Sequence, residues 1–278
     1  MEKLHIEKNS VQETLIIPLY ARYLCSKEYP DLFKDQTSER LINAIDYDAS
    51  ERGKLMDTFY GKFGALECAQ REYDLCWEIK EYLKTHPKAA VVNLGAGLLD
   101  IFSRVDNGTC LSYNIDFPEV IDVRNQLLPA GEREKNIACN LNDYRWFEEI
   151  NDDGGAVFIG AGLFYYFTRD DVRKLITGMS SCFKDGVIVF DACNKRALKL
   201  MLKTWVKDAG ISNIKCFFSI KNAEKELLPW SLNFKSVSCR PYMNGYRDIS
   251  DRAGKMYKFM SRLADSSFKM QIVKIAFK

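Results

Sequence analysis

The sequence predicts an α/β protein with a doubly wound, mostly parallel sheet. From residue 89 onward, short apolar runs rich in β-branched residues alternate with segments of helical periodicity. Two of these runs, 89–94 and 156–159, lead directly into glycines, as expected where a buried strand enters a turn that approaches a ligand. No Pro- or Gly-rich linker interrupts the 278 residues, which favours a single domain over 1–278.

The N-terminal part, 1–86, is predicted to be helical and to lie over one end of the sheet as a lid. Apolar residues recur there at helical spacing in three segments, 15–23, 38–45 and 66–85. Pro87 is expected to end the last of these helices, because proline does not continue a helix easily. The sheet and its covering helices then occupy 87–278.

Beyond Pro87 the predicted strands are 89–94, 111–115, 136–139, 156–159, 187–190, 214–220 and 270–277. The predicted helices are 118–128, 168–182, 195–207 and 256–263. Pro118 is expected to open the first of these helices, and Thr168 to cap the second. Little helix separates the final strands, and we therefore expect an antiparallel edge.

Composition excludes several classes of partner. Lys+Arg at 40 nearly cancel Asp+Glu at 38, and a net charge of +2 provides no broad positive field for nucleic acid. The nine cysteines include no C-x-x-C pair and only two histidines, His5 and His86, are present, so no metal site is expected. The polar N-terminus shows no signal peptide and the apolar runs are too short to span a bilayer, which predicts a cytoplasmic protein without a membrane partner.

Ligands of doubly wound sheets bind outside the carboxyl ends of the strands. At the first such end, Gly95 and Gly97 form a G-x-G turn that lets the backbone approach a nucleotide-like ligand, although a plain βα turn would look the same. Asp100 stands where a dinucleotide fingerprint has its third glycine, which counts against NAD. Asp116 ends the next strand, 19 residues beyond Gly97, where an acid accepts hydrogen bonds from ribose hydroxyls; a surface acid would be the alternative.

Two further strand ends carry candidate ligand groups. The side-chain carbonyl of Asn140 can accept an adenine amino proton, unless Asn140 is an ordinary loop residue. The segment 160–167 begins with G-A-G and continues with four aromatic residues among its last five. Because these rings cannot all face the core, at least one of Tyr165 and Tyr166 is expected to line the pocket of the substrate.

One arginine lies on the apolar face of the helix predicted over 66–85. Arg71 lies four residues before Leu75, on the helix face that also carries Ile79 and Leu83. A buried guanidinium needs a partner, and a carboxylate is its best match. That carboxylate is either a protein acid or the amino-acid end of a ligand.

Taken together, these segments resemble the leucine carboxyl methyltransferases and their bacterial relatives, the tetracenomycin-type polyketide O-methyltransferases. The resemblance runs from about Val11 to the end of the chain. It rests on E-T-L-I-I-P-L-Y-A-R at 13–22, V-V-N-L-G-A-G-L at 91–98, D-F-P-E-V-I at 116–121 and the helix that opens near Thr168. The second and third motifs at this spacing are specific.

The resemblance implies a Rossmann-like class I methyltransferase fold with S-adenosylmethionine as cofactor and S-adenosylhomocysteine as product. In it, Arg71 holds the methionine carboxylate, Gly95 and Gly97 pass beneath the cofactor, Asp116 binds the ribose, and Asn140 and Leu141 lie beside the adenine. The cofactor-binding candidates are Arg71, Asn93, Gly95, Ala96, Gly97, Asp116, Phe117, Asn140, Leu141, Gly160 and Ala161.

The chain departs from the family pattern at four positions. Leu99 and Asn140 replace aspartates, Ala161 replaces a glutamate, and Asn142 replaces an arginine of the carboxyl-methylating members. These changes leave the cofactor site intact and bear on the acceptor. Methyl transfer from a sulfonium mainly requires a close, aligned nucleophile, and such positioning supplies roughly 7–11 kcal/mol.

The acceptor is predicted to be an oxygen of a small molecule, with a carboxylate favoured over a phenol. A carboxylate is ionised at neutral pH, whereas a phenol needs a base, and neither His5 nor His86 is near a strand end. The candidates for holding the acceptor are Tyr20, Arg22, Tyr165 and Tyr166; no catalytic residue is identified. The alternatives are a module that binds the cofactor without turnover and an NAD-dependent oxidoreductase.

Overall fold

A computed structural model describes residues 3–6, 11–46, 58–201, 217–247 and 254–278, and it contains the predicted doubly wound sheet. Its seven strands have the order β5-β4-β3-β6-β7-β9-β8. The strands are β3 (Ala90–Leu94), β4 (Leu111–Asp116), β5 (Glu134–Ala138), β6 (Ala156–Gly160), β7 (Val187–Ala192), β8 (Phe234–Pro241) and β9 (Gln271–Phe277). The first five strands in this order are parallel, and β9 runs antiparallel to both β7 and β8, which confirms the antiparallel edge.

Helices cover both faces of the sheet. They are α1 (Val11–Glu28), α2 (Gln36–Ala44), α3 (Phe59–Leu83), α4 (Phe102–Val105), α5 (Pro118–Leu127), α6 (Arg169–Cys182), α7 (Lys195–Met201), α8 (Ala223–Leu227) and α9 (Lys255–Ser266). The side chains of each strand alternate between two cores. Val91 and Val157 pack with α3 on one face, while Val92 and Phe158 pack with α6 on the other.

The helix starts follow from local sequence. Pro118 occupies the first turn of α5, where its missing N–H removes no helical bond. Thr168 and Asp171 form a reciprocal capping box at the start of α6. Both predicted helix starts are therefore confirmed.

Helices α1 and α2 pack at the carboxyl edge of the sheet, whereas α3 packs on one of its faces. The predicted lid over 1–86 stays a prediction. Two short parallel strands, β1 (Leu4–His5) and β2 (Ile45–Asp46), flank α1 and α2. Leu15, Ile16 and Leu19 of α1 share a buried cluster with Leu98 and with apolar residues of α5. A Cβ placed on Gly97 would be 3.2 Å from a methyl carbon of Leu15, so α1 packs directly on the G-x-G turn.

The sequence prediction was wrong at one strand and missed another. Residues 217–220 of the predicted strand 214–220 form no strand, and 214–216 lie outside the described residues, as do 202–207 of the predicted helix 195–207. Phe218 and Ile220 are buried, but single backbone bonds to Tyr165 and Cys193 hold the segment, without a ladder. Strand β8 was missed because its exposed residues, at an edge of the sheet, are mostly polar.

Two features of the described segments bear on the predictions about membranes and cysteines. In the described segments, no helix combines the length and the apolar character that crossing a bilayer requires. The eight cysteines of these segments are all free thiols.

Candidate cofactor and acceptor site

The G-x-G turn after β3 has a backbone that only glycine adopts without strain. Gly95 and Gly97 have φ values of +63° and +48°. A Cβ on Gly95 would come within 2.6 Å of Leu163, a residue of the turn after β6. The turn is tied to the neighbouring strand because Ala96 donates its N–H to the carbonyl oxygen of Ile115 at 3.0 Å.

Asp116 faces this turn from the end of β4. Its Oδ2 accepts the N–H of Gly97 and its Oδ1 accepts the N–H of Phe117, each at 2.8 Å. Burial raises the pKa of Asp116, and these two hydrogen bonds counteract only part of that rise. Each carboxylate oxygen keeps a further lone pair, so the group can still accept a ribose hydroxyl.

A buried arginine holds the backbone of the G-x-G turn in place by hydrogen bonds. Arg124 of α5 donates from Nη1 to the carbonyl oxygens of Gly97 at 2.9 Å and Leu99 at 3.0 Å. Its Nε donates to the side-chain oxygen of Asn136 at 3.3 Å. The guanidinium is 2% exposed, and burial lowers its pKa to about 10. Two of the hydrogen bonds of Arg124 therefore go to backbone carbonyl oxygens, and they fix the path of the turn.

Asn93 belongs to the same buried support. It stands in register with Asn114 and Asn136 on three adjacent strands, and the amide of Asn93 donates to Asn114 at 3.5 Å. The side-chain oxygen of Asn93 is buried and has no hydrogen-bond partner in the structure. Its predicted contact with the cofactor stays a prediction.

Arg71 lies at the other half of the carboxyl edge, on α3. Its Nη1 donates to Oδ2 of Asp191, near the end of β7, at 3.2 Å. Asp191 also accepts the N–H of Gly162 at 2.6 Å, so one buried carboxylate holds both the arginine and the turn after β6. Burial lowers the pKa of Arg71, Asp191 raises it, and the net shift is well upward.

The guanidinium of Arg71 therefore has a protein partner and still has donors for a ligand. Among the described residues the guanidinium donates only to Asp191, and Nε and Nη2 are left for the bidentate contact that suits a second carboxylate. A Cβ on Gly162 would lie 2.7 Å from Nη1 of Arg71, so a side chain there would displace the guanidinium from its present position. Gly162 also has a φ of +67°, which favours glycine. Of the two predicted partners, the protein acid is present, and the ligand carboxylate remains compatible.

The remaining cofactor candidates lie at the carboxyl ends of β4, β5 and β6. Phe117 is 41% exposed beside Asp116, and Asn140 is also exposed, whereas Leu141 is buried after β5. Asn140 caps its own turn by accepting the N–H of Asn142 at 3.0 Å. Gly160 is the last residue of β6, and Ala161 begins the turn that contacts Arg71.

The four acceptor-binding candidates occupy different settings. Tyr165 is buried and Tyr166 is 45% exposed after β6, while Tyr20 is half-buried on α1. Arg22 is buried and donates to the carbonyl oxygen of Leu98 at 2.9 Å. Its guanidinium also lies 3.3 Å from both Asp35 and Glu72, so these protein groups already engage it. The acceptor role of all four stays a prediction.

Sequence reasoning missed three polar residues of the edge: Asp191, Arg124 and Glu67. Asp191 had a signal, since it follows the apolar run V-I-V-F just as Asp116 follows its strand. Arg124 lies inside a helix and Glu67 precedes Arg71 by one helical turn, and neither has a spacing that predicts its partners.

Comparisons with known proteins agree with this geometry. The family model for leucine carboxyl methyltransferase matches residues 16–180. The chain belongs to the leucine carboxyl methyltransferase family. It is 27% identical over 189 residues to the tetracenomycin polyketide synthesis O-methyltransferase TcmP of Streptomyces glaucescens, which covers 67% of each chain. It is 25% identical over 210 residues to the S-adenosyl-L-methionine-dependent methyltransferase dpfgK of Gibberella zeae, which covers 69% of each chain.

A solved structure shares the whole fold. A DUF574 family protein from Streptomyces avermitilis superposes with a TM-score of 0.63 at 9% identity, covering 95% of this chain and 97% of that one. The family membership confirms the predicted class, an S-adenosylmethionine-dependent methyltransferase. It does not favour the oxidoreductase or the module without turnover.

The residues at the edge fit this cofactor. Asp116 offers lone pairs to ribose hydroxyls, Arg71 offers two unused donor groups to a carboxylate, and the left-handed glycines give backbone access between them. The turn after β6 joins the two halves, because Gly162 contacts Arg71 while Leu163 contacts Gly95. When bound, S-adenosylmethionine supplies an electrophilic methyl group on a sulfonium.

Proposed function

We propose that this protein methylates an oxygen of a small-molecule acceptor, a carboxylate or a phenol, in the cytoplasm. The observation that carries the proposal is the position of Arg71. It is a half-buried guanidinium at the carboxyl edge, fixed by Asp191 and Gly162, with donors left for the methionine carboxylate. The similarity to an O-methyltransferase of polyketide synthesis supports oxygen as the nucleophile and a small molecule as the acceptor.

The protein contributes positioning in this proposal. Asp116 and the G-x-G turn hold the nucleoside, and Arg71 holds the amino-acid end, so the reacting carbon has a fixed place at the edge. Helices α1 and α2 lie over that place in this proposal, since Leu15 packs on Gly97. Their cover keeps bulk water away from the acceptor oxygen, which strengthens the nucleophile.

The test is incubation of the purified protein with S-adenosylmethionine and a panel of aromatic acids and phenols. Mass spectrometry would follow S-adenosylhomocysteine and any product heavier by one methyl group. We expect a methyl ester or a methyl ether from at least one panel member. Binding of S-adenosylmethionine with no product from oxygen acceptors, but with product from amines or thiols, would refute the proposal.

A further inference from the structure

One carboxylate at the carboxyl edge is not used by the structure. Glu67 lies on α3 one helical turn before Arg71 and is half-buried. Among the described residues, its carboxylate has no hydrogen-bond or ion-pair partner, and only its backbone carbonyl is engaged, by the hydroxyl of Tyr242 at 3.0 Å. A half-buried carboxylate at the carboxyl edge that has no protein partner can still accept a proton or a hydrogen bond from a ligand.

The direction of α3 places Glu67 beyond the ends of the strands. Tyr82, near the end of α3, contacts Ala156 and Asp185 at the amino edge of the sheet, while Arg71 contacts Asp191 at the carboxyl edge. The helix therefore runs from the carboxyl edge to the amino edge. Because an α-helix rises 1.5 Å per residue, Glu67 lies about 6 Å further out than Arg71. Glu67 therefore lies at the same edge of the sheet as the cofactor-binding candidates.

The other nearby acids are committed. Asp191 accepts from Gly162 and Arg71. Asp265 of α9 accepts from the backbone N–H groups of Met243 at 2.8 Å and Asn244 at 3.1 Å. Of these three acids, Glu67 is the one whose carboxylate accepts no hydrogen bond among the described residues.

We propose that Glu67 is the general base of the reaction and that the acceptor is therefore a hydroxyl compound, of phenol type, and not a carboxylate. This inference rests on the proposed function. The acceptor O–H proton moves to a carboxylate oxygen of Glu67 while the acceptor oxygen bonds the methyl carbon. The sulfur keeps the electron pair of the broken C–S bond as a neutral thioether, and Glu67 later releases the proton to water.

The charges around Glu67 suit this role. Burial raises the pKa of Glu67 to about 8; Arg71 on its own helix lowers it, and Asp265 and Asp191 raise it. Tyr242, from the segment after β8, contacts its backbone. A phenol has a pKa of about 10, which exceeds the pKa of this base by roughly 2. For an ordinary glutamate the difference is roughly 6, so proton transfer to Glu67 is much less unfavourable.

The test uses two probes of matched shape, 2-naphthol and 2-naphthoic acid, with the full chain and S-adenosylmethionine. We expect the methyl ether from 2-naphthol, with a rate that rises with pH through about 8 as Glu67 ionises. Glu67→Gln should lower kcat by about 100-fold and remove this pH dependence, because the amide cannot take the proton. Glu67→Asp should restore part of the pH-dependent rate.

Two controls separate catalysis from folding and from cofactor binding. Glu81→Gln makes the same change near the other end of α3 and should leave the rate and its pH profile unchanged. Calorimetric titration with S-adenosylhomocysteine should give the same Kd for wild type and Glu67→Gln within about 2-fold. A Kd raised about 10-fold in Glu67→Gln would overturn the proposal, because it would assign Glu67 to the ammonium group of the cofactor.

The other outcomes also decide the question. Formation of the methyl ester alone, at the same rate in wild type and Glu67→Gln, overturns the base and leaves the proposed function standing. Methylation of neither probe by a protein that binds S-adenosylhomocysteine also counts against the base. Failure to bind S-adenosylhomocysteine at all is a failure of the proposed function.

Discussion

The two halves of the carboxyl edge use their polar groups differently. Around the G-x-G turn, Asp116 and Arg124 are bonded to the backbone of the chain itself. Around α3, Arg71 makes one contact through one nitrogen and the carboxylate of Glu67 makes none among the described residues. The first half is a cradle whose shape is already fixed, whereas the second presents charged groups with unused capacity. We infer that the second half meets the charged and reacting parts of the ligands.

The largest effect is expected from Arg71→Met. The substitution removes the donors for the methionine carboxylate and leaves Asp191 buried without its cation. Loss of one partner of such a pair costs about 2–5 kcal/mol, so the affinity for S-adenosylhomocysteine should fall by at least ~30-fold. Calorimetry on a protein with an unchanged circular dichroism spectrum measures this. Arg71→Lys keeps the charge but cannot donate two parallel hydrogen bonds, so its affinity should lie between those of wild type and Arg71→Met. Equal affinities of wild type and both variants would show that Arg71 does not bind the methionine carboxylate.

Arg124→Met should act on stability. It removes the guanidinium donor from the carbonyl oxygens of Gly97 and Leu99, while the side-chain oxygen of Asn136 keeps its hydrogen bond from Asn114. We expect a loss of about 2–3 kcal/mol in the free energy of unfolding, because each buried unsatisfied acceptor is costly. Urea unfolding measures it.

The matched control for that prediction is Arg133→Met. Arg133 pairs with Asp106 at 2.6 Å, but both side chains are about one-third exposed. Such exposed pairs contribute little to the free energy of unfolding, so Arg133→Met should cost less than Arg124→Met. The same cost for both substitutions would show that Arg124 is not the support of the turn.

A smaller loss is expected for Asp116→Asn. The amide retains one oxygen for the N–H groups of the turn but weakens the hydrogen bonds that a ribose donates to a carboxylate. The difference between a charged and a neutral acceptor predicts about a 10-fold rise in the Kd of S-adenosylhomocysteine. A Kd unchanged in Asp116→Asn, with the fold intact, would remove the ribose from this half of the edge.

The smallest effect is a pH dependence of the same Kd. Because burial raises the pKa of Asp116, its carboxylate takes a proton at a higher pH than an ordinary aspartate does. Ligand affinity should therefore weaken as the pH falls from neutral into the acid range, and it should begin to do so above the usual range of an aspartate. Asp116→Asn should show a flatter profile. A wild-type profile as flat as that of the variant would count against the charge of Asp116 as the binding group.

The sequence predicted the first half of the edge better than the second. Gly95, Gly97 and Asp116 follow buried strands within 27 residues, and strand ends of a parallel sheet meet at one edge by construction. Asp191 meets Arg71 across 120 residues of chain, and only the packing of α3 on the sheet brings them together. No local periodicity encodes such a contact.

The strand prediction failed in two regions, β8 and 217–220, for related reasons. Strand β8 carries Lys235, Ser236, Ser238 and Arg240 towards solvent, so a rule based on apolar runs passes over it. Phe218 and Ile220 form an apolar run that fills the core without pairing. Burial and strand pairing coincide in the centre of this sheet and separate at its edge.

Calorimetric titration of the wild-type chain with S-adenosylhomocysteine, and in parallel with NAD, shows which nucleotide the carboxyl edge binds. Both halves of the edge converge on one sulfur nucleoside in this account. We predict saturable binding of S-adenosylhomocysteine at a single site and no heat of binding from NAD. Saturable binding of NAD, or the absence of binding by S-adenosylhomocysteine to the folded protein, would contradict the account.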